Sequence, residues 1–291
     1  SQFVGMARDL YDREQLARER FHEANESLGF DLAKVCFNGP AEELQLTAHA
    51  QPAILVHSVI AYELLRVRGI TAMAMAGHSL GEYSALVASG CMLFADAVRM
   101  VHLRGRFMQE AVPAGVGAMA AILGLDSTQV ELACVEVIDE GVVQPANYNC
   151  PGQIVISGHA AAVRRAMARC LEHGAVKVVE LPVSAPFHSA LMAPAAERLQ
   201  PELYHAAFSD MQVPVISNVD AKPVGSKVRV PKLLAEQVTA PVRWHESVQA
   251  LIHMGVESVV EVGPGKVLSA LMRRIDRKVK VVALHDLLGA A

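Results

Sequence analysis

The chain has 291 residues, 52% hydrophobic and 19% charged, which suffices for one large domain or a domain with an inserted module and excludes a disordered chain. Its formal net charge of -4 argues against a nucleic-acid protein, whose phosphate contacts need a basic face. Apolar runs such as 70–76 and 255–262 fall far short of the roughly 20 residues that cross a bilayer, and five widely spaced cysteines, none in a C-x-x-C pair, suit a reducing cytoplasm and neither a disulfide framework nor a zinc site.

In chain order, Ser1-Gln2-Phe3-Val4-Gly5-Met6 carries no signal segment and reads as a start in mid-structure. Residues 54–68 have the period of an amphipathic helix ending at Gly69, and 71–76 read as a short buried strand. After Gly77-His78-Ser79-Leu80-Gly81 a helix runs over 82–89, and a longer one over 94–112 is stopped by Pro113 and Gly115. The pattern then changes to strand 116–123, helix 127–138, strands 142–148 and 153–157, helix 160–172 and strand 175–181. That β-α-β-β-α-β order predicts a ferredoxin-like small domain over 115–183, inserted as a unit. A helix at 191–207, a strand at 213–217, an irregular polar loop at 222–230, a helix at 242–254 and a strand at 256–262 return to the main body. The fold class is therefore α/β: a large α/β-hydrolase-like domain with a parallel sheet, residues 1–114 and 184–291, carrying the small domain.

Gly77-His78-Ser79-Leu80-Gly81, between a strand and a helix, has the form of a nucleophile elbow, with Ser79 Oγ exposed above the sheet and room left by the flanking glycines. The Leu80 N–H and the positive end of the following helix point to where an oxyanion would form. A serine nucleophile needs a base. His188, in the proline-broken loop Ser184-Ala185-Pro186-Phe187-His188-Ser189, is one candidate; His285, beside Asp286, is the other and fits the residue order of an esterase triad. Arg104, beside Gly105 on the apolar face of the 94–112 helix, is either a carboxylate clamp or an ordinary exposed helix arginine. Gly263-Pro264-Gly265-Lys266 lacks P-loop spacing and reads as a strand-to-helix turn. Arg273, Arg274, Arg277, Lys278 and Lys280 form a basic cluster, read either as a solvated face or as a surface for an acidic partner.

Six segments together resemble the malonyl-CoA:acyl carrier protein transacylases: 77–86 (GHSLGEYSAL), 103–111 (LRGRFMQEA), 147–152 (NYNCPG), 186–189 (PFHS), 241–244 (PVRW) and 261–266 (EVGPGK). They follow the family order across nearly the whole chain. The resemblance implies a ping-pong transfer of malonyl from malonyl-CoA through an ester on Ser79 to the thiol of acyl carrier protein, with the coenzyme A thioester as substrate and no cofactor or metal. It implies His188 as base, oriented by the backbone carbonyl of Gln237, Arg104 paired with the malonyl carboxylate, Phe187 excluding branched acyl groups, and Asn149 as a further substrate contact. Neither nucleic acid nor membrane is an expected partner, and a freestanding chain of this length favours fatty-acid synthesis. Two rivals remain: an esterase that passes the acyl group to water, and a carrier-binding scaffold without activity. Family members normally open with a strand leading into Gly-Gln-Gly-Ser-Gln, whose first glutamine helps to build the oxyanion hole, whereas this chain opens at Ser1-Gln2. The expectation is of a shortened chain that, taken literally, is impaired.

Overall fold

The structure, a computed structural model, describes residues 1–183 and 185–289 and has a mixed α/β fold. Its first part is helical: α1 (Arg8–Arg13), α2 (Gln15–Leu28), α3 (Leu32–Asn38), α4 (Ala41–Gln45) and α5 (Thr47–Val67) all precede the first strand. Only the end of this stretch was expected, because α5 starts at Thr47 and runs through Pro52. Proline lacks the N–H that would bond the carbonyl four residues back. That carbonyl, on Ala48, instead accepts from His102 Nδ1 at 2.9 Å, which ties α5 to α7 (Phe94–Glu110). Between these two lie β1 (Met75–Ala76) and α6 (Leu80–Ala88).

The middle of the chain forms β2 (Gly117–Leu123), α8 (Ser127–Val135), β3 (Val143–Cys150), β4 (Gln153–His159), α9 (Ala160–Glu172) and β5 (Lys177–Glu180). The four strands make one antiparallel sheet in the order β3-β4-β2-β5. Alternation along β2 sorts its side chains: Ala118, Ala120 and Ile122 join Val130, Val163 and Ala166 under the two helices. Met119 faces the other way, with Ala146, Val155 and Phe187. Burying a side chain such as Ile122 or Ile156, both fully enclosed, stabilises by about 1.5–3 kcal/mol. Asp126 and Gln129 start α8 with a reciprocal capping box.

The remaining elements are α10 (Ala193–His205), β6 (Val215–Ile216), α11 (Val230–Gln237), α12 (Trp244–His253), β7 (Ser258–Val260), α13 (Val267–Ile275), β8 (Lys280–Val282) and α14 (Leu284–Leu288). Among the described residues the expected large parallel sheet consists of two separate parallel pairs, β1 with β6 and β7 with β8. Strand geometry needs a partner ladder, and each apolar run finds one over only two or three residues. The helix expected from 242 starts at Trp244, because Val242 is tied to β3: its N–H donates to Ala146 O at 2.8 Å and its carbonyl accepts from Tyr148 N–H at 2.9 Å. After β7, the Glu261 carboxylate accepts from the Leu268 and Ser269 N–H groups at 3.0 and 2.8 Å, so the Gly-Pro-Gly-Lys segment leads into a capped helix.

Candidate active site

Ser79 sits between β1 and α6 with φ 51° and ψ -108°, a conformation costly for a residue with a Cβ. Asn218, just beyond β6, holds it there. Its Oδ1 accepts from Ser79 N–H at 2.6 Å and its Nδ2 donates to Gly77 O at 2.7 Å, closing a bridge across the elbow. Ser79 and Asn218 thus follow the carboxyl ends of two paired parallel strands, the usual ligand-binding edge of such a pair.

The two flanking glycines are not equivalent. A Cβ on Gly77 would lie 1.9 Å from the carbonyl carbon of Gly81, whereas one on Gly81 would meet nothing within 4 Å. The space expected of both is required only at Gly77. Gly77→Ala is therefore expected to destabilise the fold by about 3 kcal/mol, at the upper end for overpacking, because the obstacle is backbone. Thermal unfolding measures this, and Gly81→Ala is the contrasting variant.

His188 is buried at 4% exposure, and its backbone also has a positive φ, 57°. Its Nδ1 lies 2.8 Å from the backbone carbonyl of Gln237, which can only accept, so Nδ1 carries the proton. Nε2 therefore presents its lone pair to Ser79 Oγ, 2.7 Å away. Burial, with the nearby Arg104 cation, pushes the imidazole pKa down to about 3, keeping the ring neutral. Ser184, at the start of this loop and at the expected domain boundary, lies outside the described residues, as do Ala290 and Ala291.

Arg104 is only 2% exposed. Gly105 lets α7 close on α5, since a Cβ there would lie 2.4 Å from Thr47 O. The guanidinium donates from Nη2 to Ser79 Oγ and Gln237 Oε1, both at 3.0 Å, and from Nη1 to Gln51 Oε1 at 2.7 Å. Its Nε–H is buried without a partner among the described residues. All three acceptors are neutral, so the cation lies beside the serine hydroxyl with no carboxylate ion pair among the described residues. Burial disfavours that charge, the Glu82 carboxyl offsets it only from beyond contact distance, and an entering anion would offset it further.

A cavity of about 760 Å³ opens over these groups, lined by Ser79, His188, Arg104, Gln51, Leu80 and Phe187. Met119, Asn147 and Leu181 of the small-sheet segment form another wall. Leu80 occupies the first position of α6, where a helix N–H has no partner inside the helix. Asn149 is turned elsewhere: its Oδ1 accepts from His78 Nε2 at 2.9 Å, and Asn147 is the asparagine on the cavity wall. His285 is 71% exposed and paired with Asp286 at 2.9 Å, so it offers no base to Ser79. Arg273, Arg274, Arg277, Lys278 and Lys280 are all exposed. Among the described residues no group of three or more His, Cys, Asp or Glu is arranged to hold a metal, and no helix is long and apolar enough to cross a membrane.

A hydroxyl joined to a neutral imidazole and a buried cation is equipped for acyl transfer to and from serine. The model of the acyl transferase domain family matches residues 1–290. A malonyl CoA-acyl carrier protein transacylase of Bacillus subtilis (strain 168) is 50% identical over 287 residues, covering 98% of this chain and 90% of the relative. The chain belongs to this transacylase family. A malonyl CoA-acyl carrier protein transacylase from Coxiella burnetii superposes with a TM-score of 0.97 at 39% identity, covering 99% of this chain and 92% of that one. A malonyl-transacylase solved in complex with a type II PKS acyl-carrier protein gives 0.94 at 44% identity, covering 97% and 92%. As a member of the transacylase family the protein is an acyltransferase.

Three residues of this transacylase site escape the sequence reading. Gln51 lies in the part of α5 that was not anticipated, and Asn218 directly follows a predicted strand without any motif of its own. Glu82 is 1% exposed although it is charged. The available signal was a carboxylate set among Leu80, Tyr83 and Leu86 on a helix that is otherwise apolar.

Proposed function

We propose that this transacylase moves a malonyl group from malonyl-CoA to the phosphopantetheine thiol of an acyl carrier protein, through a Ser79 ester, in the service of fatty-acid synthesis. The observation that carries the reading is Arg104: a buried cation 3.0 Å from Ser79 Oγ whose hydrogen-bond acceptors are all neutral. An acyl group that ends in a carboxylate supplies an anion in direct contact, and a guanidinium receives it in a bidentate pair. Acetyl supplies none.

In the first half-reaction Ser79 Oγ attacks the thioester carbonyl while His188 Nε2 takes its proton. The carbonyl oxygen gathers charge facing the Leu80 N–H and the start of α6. As the C–S bond breaks, the imidazolium returns the proton to the coenzyme A sulfur. In the second half-reaction the carrier thiol gives its proton to His188 and attacks the ester, and Ser79 recovers the proton as it leaves. Phe187 narrows the cavity against branched acyl groups, and Asn149 contributes by fixing His78 beneath the substrate. The exposed cluster from Arg273 to Lys280 suits an acidic carrier. We read residues 115–183 as a ferredoxin-like domain inserted into an α/β-hydrolase-like body formed by 1–114 and 184–291. Substrates of this kind put the reaction in the cytoplasm.

The test is intact mass after mixing the protein with malonyl-CoA and then with carrier protein. A single malonyl adduct should form and then move to the carrier. An adduct lost to water as fast as to carrier would make the protein a hydrolase, and no adduct at all would leave only the scaffold reading.

A further inference from the structure

The polar groups beneath the cavity converge on one buried carboxylate. Glu82 Oε2 accepts from the backbone N–H of Asn218 at 3.0 Å and from Gln237 Nε2 at 2.7 Å. Asn218 is the residue whose side chain bridges Gly77 and Ser79. Gln237, itself fully buried, makes three further contacts: Nε2 donates to Ser79 O at 3.1 Å, Oε1 accepts from Arg104 Nη2, and the backbone carbonyl holds His188. A glutamine amide has two faces of opposite character. With its NH2 toward Glu82 and Ser79 O, its oxygen must face Arg104; turned over, it would set a donor against the guanidinium and a carbonyl oxygen against the Glu82 carboxylate.

We propose that Glu82 is a positioning residue for acyl transfer, fixing the Gln237 amide and through it the direction of the Arg104 guanidinium. The inference rests on the malonyl-transfer reading of the same site. Among the described residues the Gln237 NH2 has one other acceptor, Ser79 O, and that one lies at the longer distance. Burial pushes the Glu82 carboxyl up to about 7, opposed by its two donors and by the Arg104 cation. Both donors meet the same oxygen, which accepts from them whether or not the other oxygen carries a proton. Glu82 touches neither Ser79 Oγ nor His188, and the part of its influence that passes through Gln237 falls on recognition of the acyl carboxylate.

Initial rates of Ser79 acylation with malonyl-CoA and acetyl-CoA separate this from a merely structural role, for wild type, Glu82→Met, Glu82→Gln, Gln237→Met and Glu82→Met/Gln237→Met. Glu82→Met is expected to raise the malonyl KM and lower the malonyl-to-acetyl ratio about tenfold, the scale of one charge-assisted hydrogen bond, with a smaller effect on acetyl. Glu82→Gln, which keeps an acceptor oxygen, should recover part of that ratio. Gln237→Met, whose backbone carbonyl still holds His188, should show the same fall, and the double variant no further one. A folded Glu82→Met protein with the wild-type ratio overturns the proposal, as do losses that multiply in the double variant. Should Glu82→Met not fold, Gln237→Met decides: a lowered ratio supports the relay and an unchanged one removes it. The wild-type arm tests the functional reading separately, since a wild type without a malonyl ester defeats that reading and the role of Glu82 with it.

Discussion

Ser79→Ala is expected to carry no malonyl ester, and His188→Ala to acquire one about 10²–10⁴ times more slowly than wild type, the usual worth of a positioned general base. The geometry also predicts how the rate depends on pH. Three causes depress the His188 pKa to about 3: burial first, then the Arg104 cation, then neighbouring His78. The imidazolium is thus disfavoured in the free enzyme, and Nε2 stays available as a base well below the pH at which an ordinary histidine protonates. A malonyl carboxylate on Arg104 offsets the second cause and leaves the other two. The pKa of His188 must then rise in the complex, because a neighbouring anion favours the protonated ring. The acid limb of kcat, which reports the complex, should therefore lie at higher pH than that of kcat/KM, which reports the free enzyme. The acetyl group brings no charge to Arg104, so with acetyl-CoA the two limbs should coincide. Stopped-flow acylation across the acid range measures both. Equal separation for the two donors would show that Arg104 does not act on the base.

Arg104→Ala should lower malonyl kcat/KM by about tenfold to a hundredfold and leave acetyl transfer close to its wild-type rate, since a charged hydrogen-bond pair contributes about 1.5–3 kcal/mol. The two donors then approach parity, so the variant loses selectivity more than chemistry. Lysine is not an adequate replacement: Arg104 serves Gln51, Gln237 and Ser79 from a planar fork, a geometry that a single ammonium cannot reproduce. Arg104→Lys should therefore fall nearer to alanine than to wild type in competition between the two thioesters. If Arg104→Ala kept the wild-type preference for malonyl, the anion would have to be recognised elsewhere in the cavity.

What the sequence discloses about this site follows from how local each signal is. The strands and helices between 117 and 180 stand out because alternation and helical period are short-range patterns, and the Ser79 turn because glycine, serine and glycine sit at fixed spacing. His188 and Arg104 are less legible. Spacing leaves His188 level with His285, and only burial against exposed pairing with Asp286 separates them. Glu82, Asn218 and Gln51 carry no local pattern, since their meaning comes from partners more than 50 residues away in each case. The large sheet was overestimated for a related reason: an apolar run reports burial, whereas a strand also needs a neighbour, and Thr71 to Ala74 have none.

The spread of the site along the chain has a kinetic consequence. Ser79 is joined to His188 across 109 residues and to Gln237 across 158, and β1 finds its partner only at Val215. Helices such as α5 and α7 can form from nearby contacts, but the reactive serine depends on closing loops that span much of the chain, and such closures are slow. A nascent chain that has not yet delivered Gln237 holds its nucleophile without an oriented base or a fixed guanidinium. Reactivity is therefore a late property of folding, and immature molecules of this transacylase would be protected from consuming thioester before they can hand the acyl group on.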